Sequence, residues 1–354
     1  MAARSVWHNL RTRGWCSEIV THIRAAALTA FVALAALAAA NLRAALRPVC
    51  LDSPPAQPSV ARLREALARG RFVTYQPTSL KVVNGQVTPA DPAGIRADLA
   101  VLRRNFDGLI TYEALHGAGS IPAIAASLKF RALIIGVWNP LDEQELGAAI
   151  EAARSFPRLV AGISLGNEMI FSRRIDARSL AALLARVRAR LPGMALSTSE
   201  PFHIYYQPAA SALLSHLDFL LVIVHPVFQP WFRDAPDSNA AQFVVNVLAE
   251  LAPLACGPIL VKETGVPTAP ASGGFSEERQ AAFYRELRRR LPPAALQAFA
   301  YFAAFDAPWR AYDAIAVPAA PPHVHPEEAH WGLYDAQRQP KAAARELPPL
   351  PRWN

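Results

Sequence analysis

Two glutamates stand out in this 354-residue chain because each closes a short apolar run that reads as a buried strand. Glu168 ends Gly162-Ile-Ser-Leu-Gly-Asn-Glu168, and Glu263 ends Ile259-Leu-Val-Lys-Glu263. A carboxylate in such a place is expensive to strip of water unless it has a partner or a task. The plain alternative to a task is a buried ion pair or a helix cap. Two carboxyl groups that face each other suit one reaction well. One attacks an anomeric carbon while the other protonates the departing oxygen, at a separation of about 5–5.5 Å when configuration is retained. The period of two along a strand puts Ser164, Gly166 and Glu168 on one face, with Ile163, Leu165 and Asn167 opposite. The same rule sets Glu263 on the face of Ile259 and Val261 and points Lys262 away from it.

The other apolar runs end in the same manner. Their endings are Tyr75-Gln76, Tyr112-Glu113, Trp138-Asn139, Glu200, His225 and Asp306, the last followed by Trp309. One polar ending is an ordinary cap, but a full set is hard to obtain from capping alone. Carboxylates grip hydroxyls and aromatic faces pack on the apolar faces of sugar rings, so such a wall suits a neutral polyol. Glu168 and Glu263 are therefore the candidate catalytic pair. Asn167, Tyr75, Tyr112, Trp138, Glu200, His225, Trp231, Asp306 and Trp309 are candidate substrate-binding residues, with Trp231 and Trp309 readable equally as sugar platforms or hydrophobic plugs.

The elements that must hold these residues follow from periodicity. Strands are expected at 72–76, 108–112, 132–138, 160–168, 196–200, 219–225, 259–263 and 298–305. Amphipathic helices are expected between them at 92–104, 121–128, 142–155, 176–191, 207–214, 238–251 and 276–291. Strict alternation predicts a parallel sheet with crossover helices, and eight strands predict closure into a (β/α)₈ TIM barrel. In such a barrel the strands that carry Glu168 and Glu263 stand nearly opposite, and the chemistry gathers where strands end. No glycine-rich loop follows the first strand, which disfavours an open-sheet nucleotide binder.

Four segments together resemble glycoside hydrolase family 17, in particular its bacterial branch. They are Leu165-Gly-Asn-Glu168, Lys262-Glu-Thr-Gly-Val-Pro267, Tyr301-Phe-Ala-Ala-Phe-Asp306 and His330-Trp-Gly-Leu-Tyr334. The similarity runs through residues 71–341. It implies action on β-1,3-glucan or a related β-glucan by retaining hydrolysis, with no cofactor and no metal. It also makes Glu168 the acid/base and Glu263 the nucleophile. Asn167 would bond the sugar 2-hydroxyl, Tyr301 would lie near the nucleophile, and His225 would line the subsite where cleavage occurs. Two residues depart from the pattern: Val266 stands where the family usually has tryptophan, and Ala307 where it often has an acid. The resemblance leaves transfer to a second sugar open beside hydrolysis, and a non-catalytic surface glucan binder is a third possibility. A metal hydrolase is a weaker one. His323-Val-His325 looks like a ligand pair, but metal-dependent barrels of the amidohydrolase kind need one at the end of the first strand, where Thr74-Tyr-Gln-Pro77 offers none.

Composition sets the remaining bounds. Hydrophobic residues make up 52% and charged residues 18%, enough for a large core. The net charge of +8 is uneven: residues 1–50 hold six arginines against the single acid Glu18, which leaves +3 for the rest. The basic runs at 186–190 and 288–290 fall on amphipathic helices, so no nucleic-acid partner is expected. Residues 25–42 form an 18-residue run whose polar members are Thr29 and Asn41, long enough for a bilayer core. The expected organisation is a basic cytoplasmic segment at 1–24, a membrane anchor at 25–42, a linker and short helix at 43–70, a catalytic barrel at 71–345 and a Pro-rich tail at 346–354. The barrel would sit on the outer side of the membrane as a monomer. A cleaved signal ending at Ala38-Ala-Ala40, with secretion, is the alternative. Three cysteines are too few for a disulfide framework, although Cys50 could reach Cys256.

Overall fold

The computed structural model describes residues 50–51, 53–83, 86–312 and 325–350. The segments 1–24 and 25–42, and His323 of the paired histidines, lie outside these residues. Among the described residues no helix is long and apolar enough to cross a membrane.

The apolar runs fold as strands and the amphipathic runs as helices between them. In chain order the strands are β1 (Phe72–Thr74), β2 (Lys81–Val83), β3 (Gln86–Thr88), β4 (Gly108–Ile110), β5 (Ala132–Val137), β6 (Val160–Asn167), β7 (Leu196–Pro201), β8 (Leu220–Ile223), β9 (Ile259–Glu263) and β10 (Gln297–Tyr301). The helices are α1 (Gln57–Arg69), α2 (Pro92–Leu102), α3 (Ile121–Ser127), α4 (Glu143–Ser155), α5 (Ala177–Arg190), α6 (Ala210–Leu214), α7 (Asp237–Leu251), α8 (Glu277–Arg290) and α9 (Ala342–Arg345). Eight parallel strands close into a barrel in the order β1-β10-β9-β8-β7-β6-β5-β4, as the alternation predicts. The pair β2–β3 is an antiparallel hairpin in the first loop, which the expected strands did not include. Several barrel strands stop one to four residues short of their expected ends, which leaves the polar endings on the loops.

Helix starts are set by caps. Asp142 accepts from the backbone of Gln144 at 2.8 Å, Asp176 from Arg178 and Ser179 at 2.9 Å each, and Ser276 from Arg279 at 3.1 Å. Each cap satisfies amide groups that the first turn leaves without partners. It also fixes where the preceding loop must end.

Core packing explains α1. Val60, Leu63, Ala66 and Leu67 join Phe72, Ile110, Ile134, Phe219, Leu221, Leu260 and Ala300 in one buried cluster. Many cluster members lie at or just before strand starts, so α1 closes the end of the barrel opposite Glu168 and Glu263. Ser59 binds it there by donating to Ala161 O at 2.9 Å. Cys50 and Cys256 are disulfide-bonded, with Cα atoms 5.6 Å apart, and pin the start of this segment beside β9. The pairing that spacing alone could not assign is therefore made.

Leu63 is fully buried in that plug. Leu63→Ala should cost about 2–5 kcal/mol by deleting buried methyl groups and leaving a cavity. The fall would appear as a lower urea midpoint. Activity per folded molecule should stay near that of the unaltered protein, because the plug is at the far end from the mouth. An unchanged midpoint would show that α1 does not share the barrel core.

Candidate active site

Two strand irregularities decide what faces the mouth. Val222 pairs with Val261 and the next residue, Ile223, pairs with Glu263, so Lys262 is an extra residue in β9. Leu260 belongs to the barrel core and Lys262, two residues on, follows it inward, while the shift turns Glu263 to the mouth as well; the expectation that Lys262 points away from Glu263's face is corrected. In β6, Ser164 pairs with Ser197 and Asn167 with Ser199, three residues advancing against two. Gly166 allows this at φ 87°, a left-handed angle at which a Cβ would also strike Met169 Cγ at 2.4 Å. The face expected to separate Asn167 from Glu168 is thereby lost. Asn167 turns toward the strand that carries Glu263, and its Oδ1 accepts a 2.5 Å hydrogen bond from Lys262 Nζ. Glu168 itself sits at φ 53°. A non-glycine residue held there costs on the order of 1–3 kcal/mol, which surrounding contacts must offset.

Around Glu263 the charges are close. Lys262 Nζ lies 3.4 Å from Oε1 and 4.1 Å from the centre of the Tyr112 ring. His225 Nε2 lies 3.6 Å from Oε2. The imidazole is walled by Trp331 and Phe302, with ring centres at 4.9 and 5.2 Å. Among the described residues Glu263 Oε1 and the buried Tyr112 hydroxyl make no hydrogen bond of ordinary geometry, and Tyr112 and Glu263 lie close enough to interact. Burial alone would raise the Glu263 carboxyl, but Lys262, His225 and Arg310 outweigh it and hold the pKa at about 2. Glu168 is pulled the other way. Burial raises it first and the charge on Glu263 second, against weaker opposition from His225, Lys262 and Arg310. The site thus holds one carboxylate kept ionised and one pushed toward its protonated form. That split is what acid and nucleophile roles require.

Several expected site residues serve the scaffold instead. Glu200 is fully buried, and its oxygens accept from Ile170 N at 2.8 Å and Phe171 N at 3.1 Å. It clamps the turn after Glu168 and has no surface left for a sugar. Its pKa is pushed up to about 7, chiefly by burial, despite these backbone donors. Tyr75 is fully buried and donates to Asp98 on α2 at 2.9 Å. Tyr301 points out of the barrel, its ring 4.6 Å from Tyr284 of α8 and 5.6 Å from Phe106, and so is not the tyrosine beside Glu263. Tyr112 occupies that place. Asp306 pairs with Lys341 at 2.7 Å and accepts from Gly332 N at 2.9 Å, tying the last loops together. Trp231 is half-buried and packs edge-on against Phe243.

Other residues stay at the mouth. Trp138 is 41% exposed, with Arg174 stacked 5.3 Å from its ring. The same guanidinium donates to Asn167 O at 2.6 Å, so Arg174 ties the indole to the turn bearing Glu168. Trp309, Tyr112, Gln76 and Arg310 line a narrow cavity of about 40 Å³. A wider groove of about 440 Å³ runs between the loops after β8 and β9, lined by Val227, Gln229, Phe232, Arg233 and Phe275. Sequence reasoning missed Lys262, Arg174, Arg310, Trp331 and Glu145 as contributors. Glu145 accepts from Trp138 N at 2.7 Å, Asn139 N at 2.8 Å and Ala114 N at 3.2 Å. Its signal was there in Asp142-Glu-Gln-Glu145, a capping-box spacing whose second acid reaches across to two loops. Among the described residues no group of three His, Cys, Asp or Glu side chains is placed to hold a metal ion.

A family model described as the BtgE/BtgC glycoside hydrolase domain matches residues 73–332. A glucan 1,3-beta-glucosidase of Arthroderma benhamiae is 27% identical over 267 residues, spanning 71% of this chain and 84% of that protein. An active-site mutant of a Rhizomucor miehei beta-1,3-glucanosyltransferase, solved in complex with laminaritriose, aligns with a TM-score of 0.58 at 18% identity, covering 77% of this chain and 96% of that one. An endo-laminarinase from Formosa gives 0.59 at 17% identity, covering 80% and 90%. At these identities the solved structures speak for the barrel fold.

Glu200 generates a test that separates clamp from sugar contact. Glu200→Ala should leave the amides of Ile170 and Phe171 without acceptors and destabilise the protein by about 1–3 kcal/mol. Amide hydrogen exchange at those two positions should accelerate relative to the barrel strands. Unchanged exchange there would mean that the turn is held by something else.

Proposed function

The chain belongs to the BtgE/BtgC glycoside hydrolase domain family, and from that membership and the paired carboxylates we propose that it is a retaining enzyme of β-1,3-glucan, with Glu263 as nucleophile and Glu168 as acid/base. The observation that carries this reading is the opposed pull on the two carboxyl groups. Lys262, His225 and Arg310 keep Glu263 anionic, while burial and that anion push Glu168 up. Resemblance to family 17 and the glucan-active relatives supports the substrate class.

In the first step a Glu263 oxygen forms a bond to the anomeric carbon as the glycosidic C–O bond breaks. The Glu168 proton goes to the departing oxygen. In the second step Glu168, now a carboxylate, takes the proton of an incoming hydroxyl as that oxygen attacks the same carbon and releases Glu263. Asn167 is suited to the sugar 2-hydroxyl, and Tyr112 and His225 to the ring bound beside Glu263. If the incoming hydroxyl belongs to water the outcome is hydrolysis; if it belongs to a second glucan the outcome is transfer. Transfer has one observation in its favour: Trp138, Phe171 and Phe228 leave 41%, 53% and 64% of their surface open on loops at the mouth, faces on which an acceptor sugar can stack. The Cys50–Cys256 disulfide supports a working place outside the cytoplasm, where such bonds persist.

Incubation with laminari-oligosaccharides and mass analysis of the products tests the reading. Shorter sugars indicate hydrolysis and longer ones transfer, whereas unchanged sugars would leave a binder. Glu263→Ala should abolish turnover while retaining glucan binding, and added azide should yield a glycosyl azide of inverted configuration. Glu168→Ala should lose about 10²–10⁴-fold on glucan but far less in forming the glycosyl-enzyme from an aryl glycoside, whose leaving group needs no proton. Azide should then give a product of retained configuration. Equal losses on both substrates without azide rescue would remove Glu168 from the acid/base role.

The pH profile has a definite sign. Activity needs Glu263 deprotonated, which holds above about pH 2, and Glu168 protonated, which holds below its raised pKa. The profile of kcat/KM should therefore be bell-shaped with an acidic optimum, and Glu168→Gln should remove its alkaline limb.

A further inference from the structure

A lysine buried inside the barrel is not demanded by a two-carboxylate reaction. We propose that Lys262 is a positioning residue for that reaction, acting through Asn167 and Glu263 at once, and that the register shift in β9 serves to turn Glu263 to the mouth beside it. The inference rests on the reading of Glu263 as nucleophile.

The contacts of Nζ make the case. It lies 2.5 Å from Asn167 Oδ1, 3.4 Å from Glu263 Oε1 and 4.1 Å from the centre of the Tyr112 ring, with the side chain 2% exposed. An ammonium group has three donors and no acceptor, so only the oxygen of the Asn167 amide can face it. The carboxamide is thereby locked with its NH₂ turned away from Lys262, as a donor for a bound hydroxyl. The Tyr112 ring occupies another side of the ammonium and stabilises the cation. Burying an ammonium is costly unless it is paired, and Glu263 is the carboxylate that touches this one.

Every charged or titratable group around Glu263 comes from a different strand or loop. Lys262 is on β9, His225 follows β8, Tyr112 follows β4, Glu168 follows β6 and Arg310 follows β10. Among the cations Lys262 has a distinct place. Arg310 has its own acid, Glu328, at 3.2 Å and is 29% exposed. His225 carries charge only when protonated. Among the described residues Lys262 is an enclosed cation whose carboxylate contact is Glu263.

The same placement serves the second half of the reaction. Once Glu263 carries the sugar as an ester it has no charge, so it no longer raises the pKa of Glu168. Lys262 then acts on Glu168 alone and favours its carboxylate. Glu168 must be a carboxylate at that stage to accept a proton.

Lys262→Met and Lys262→Gln test the proposal together. Both remove the charge, and the glutamine can still donate to Asn167. In both, the acidic limb of the kcat/KM profile on an aryl β-glucoside should move up by about one to three pH units. The methionine variant should show the greater loss of kcat on glucan. A folded variant whose acidic limb does not move would overturn the proposal, whatever its loss of rate, because a merely structural lysine would leave that limb in place. A second measurement needs no variant. The unaltered protein, with ¹⁵N-lysine at its four lysines, is trapped with a 2-deoxy-2-fluoroglucosyl donor. The buried Nζ should titrate at lower pH in the adduct than in the free protein, since the Glu263 charge is gone. An unchanged Nζ titration would also overturn the role. Absence of a glycosyl ester at Glu263 by mass analysis would instead reject the nucleophile assignment beneath it.

Discussion

A carboxylate walled off from water stays ionised only where cations or hydrogen-bond donors are packed against it, and Glu263 draws on two cations and a histidine. Lys262 comes from its own strand, His225 from the loop after β8 and Arg310 from the loop after β10. Only Lys262 is its neighbour in local sequence, and the two face the mouth together because the register of β9 shifts between Val261 and Glu263. The dependence is mutual. Removing either member of a buried pair leaves an uncompensated charge, a loss of about 3–5 kcal/mol. Barrel closure is therefore a condition for the charge state of the site and for more than its shape, since the supporting groups come from strands spread around the ring.

Directing side chains at one point asks for backbone that regular strands do not supply. Gly166 at φ 87° and Glu168 at φ 53° break the regular run of β6 where Asn167 and Glu168 must both be presented. That local cost is offset by contacts which leave the turn little freedom. Glu200 binds two amides beyond Glu168, and Arg174 binds the carbonyl of Asn167 from the other side. The stabilising core lies elsewhere. Helix α1 fills the opposite end of the barrel with Leu63 and Leu67, and the Cys50–Cys256 bridge holds its approach. Strain at one end and packing at the other let the mouth be irregular without making the whole marginal.

The fold was legible because its signal is periodic and repeated. Eight apolar runs at helical spacing leave few alternatives to a closed parallel barrel, and all eight strands appear where the runs lie. The hairpin β2–β3 lies outside the expected strands although Asn84-Gly85 between two β-branched runs is a turn signal, because its strands are three residues long and no helix separates them. Glu168 and Glu263 were legible as strand-ending acids. The direction of their neighbours was not, since alternation holds only while register holds, and β6 and β9 each slip by one residue near the mouth. Lys262 and Asn167 were accordingly placed on the wrong faces. Tyr301 failed for another reason. It ends β10, but its ring packs outward between Tyr284 and Phe106, a choice made by helix packing that no strand pattern records.

A polar residue at a strand end has two possible uses, and residue type does not separate them. There the backbone leaves the ladder and its amide groups need acceptors, so acids such as Glu145 and Glu200 are recruited to bind loops. Other enclosed groups at the mouth meet the opposite condition: among the described residues a polar atom of each makes no hydrogen bond. Tyr112 Oη, Glu263 Oε1, His225 Nδ1 and Trp331 Nε1 all meet that condition. The ring contacts of His225 with Trp331 and of Lys262 with Tyr112 bring these side chains around the same carboxylate. Buried polar atoms without partners are rare in folded proteins, because each forfeits about 1–3 kcal/mol of hydration. Three around one carboxylate, with an oxygen of the carboxylate itself, describe a surface whose missing hydrogen bonds a sugar's hydroxyls would supply. At the mouth, then, the acids that bind loop amides and the groups left without a hydrogen bond divide the strand endings between scaffold and a wall open to a ligand.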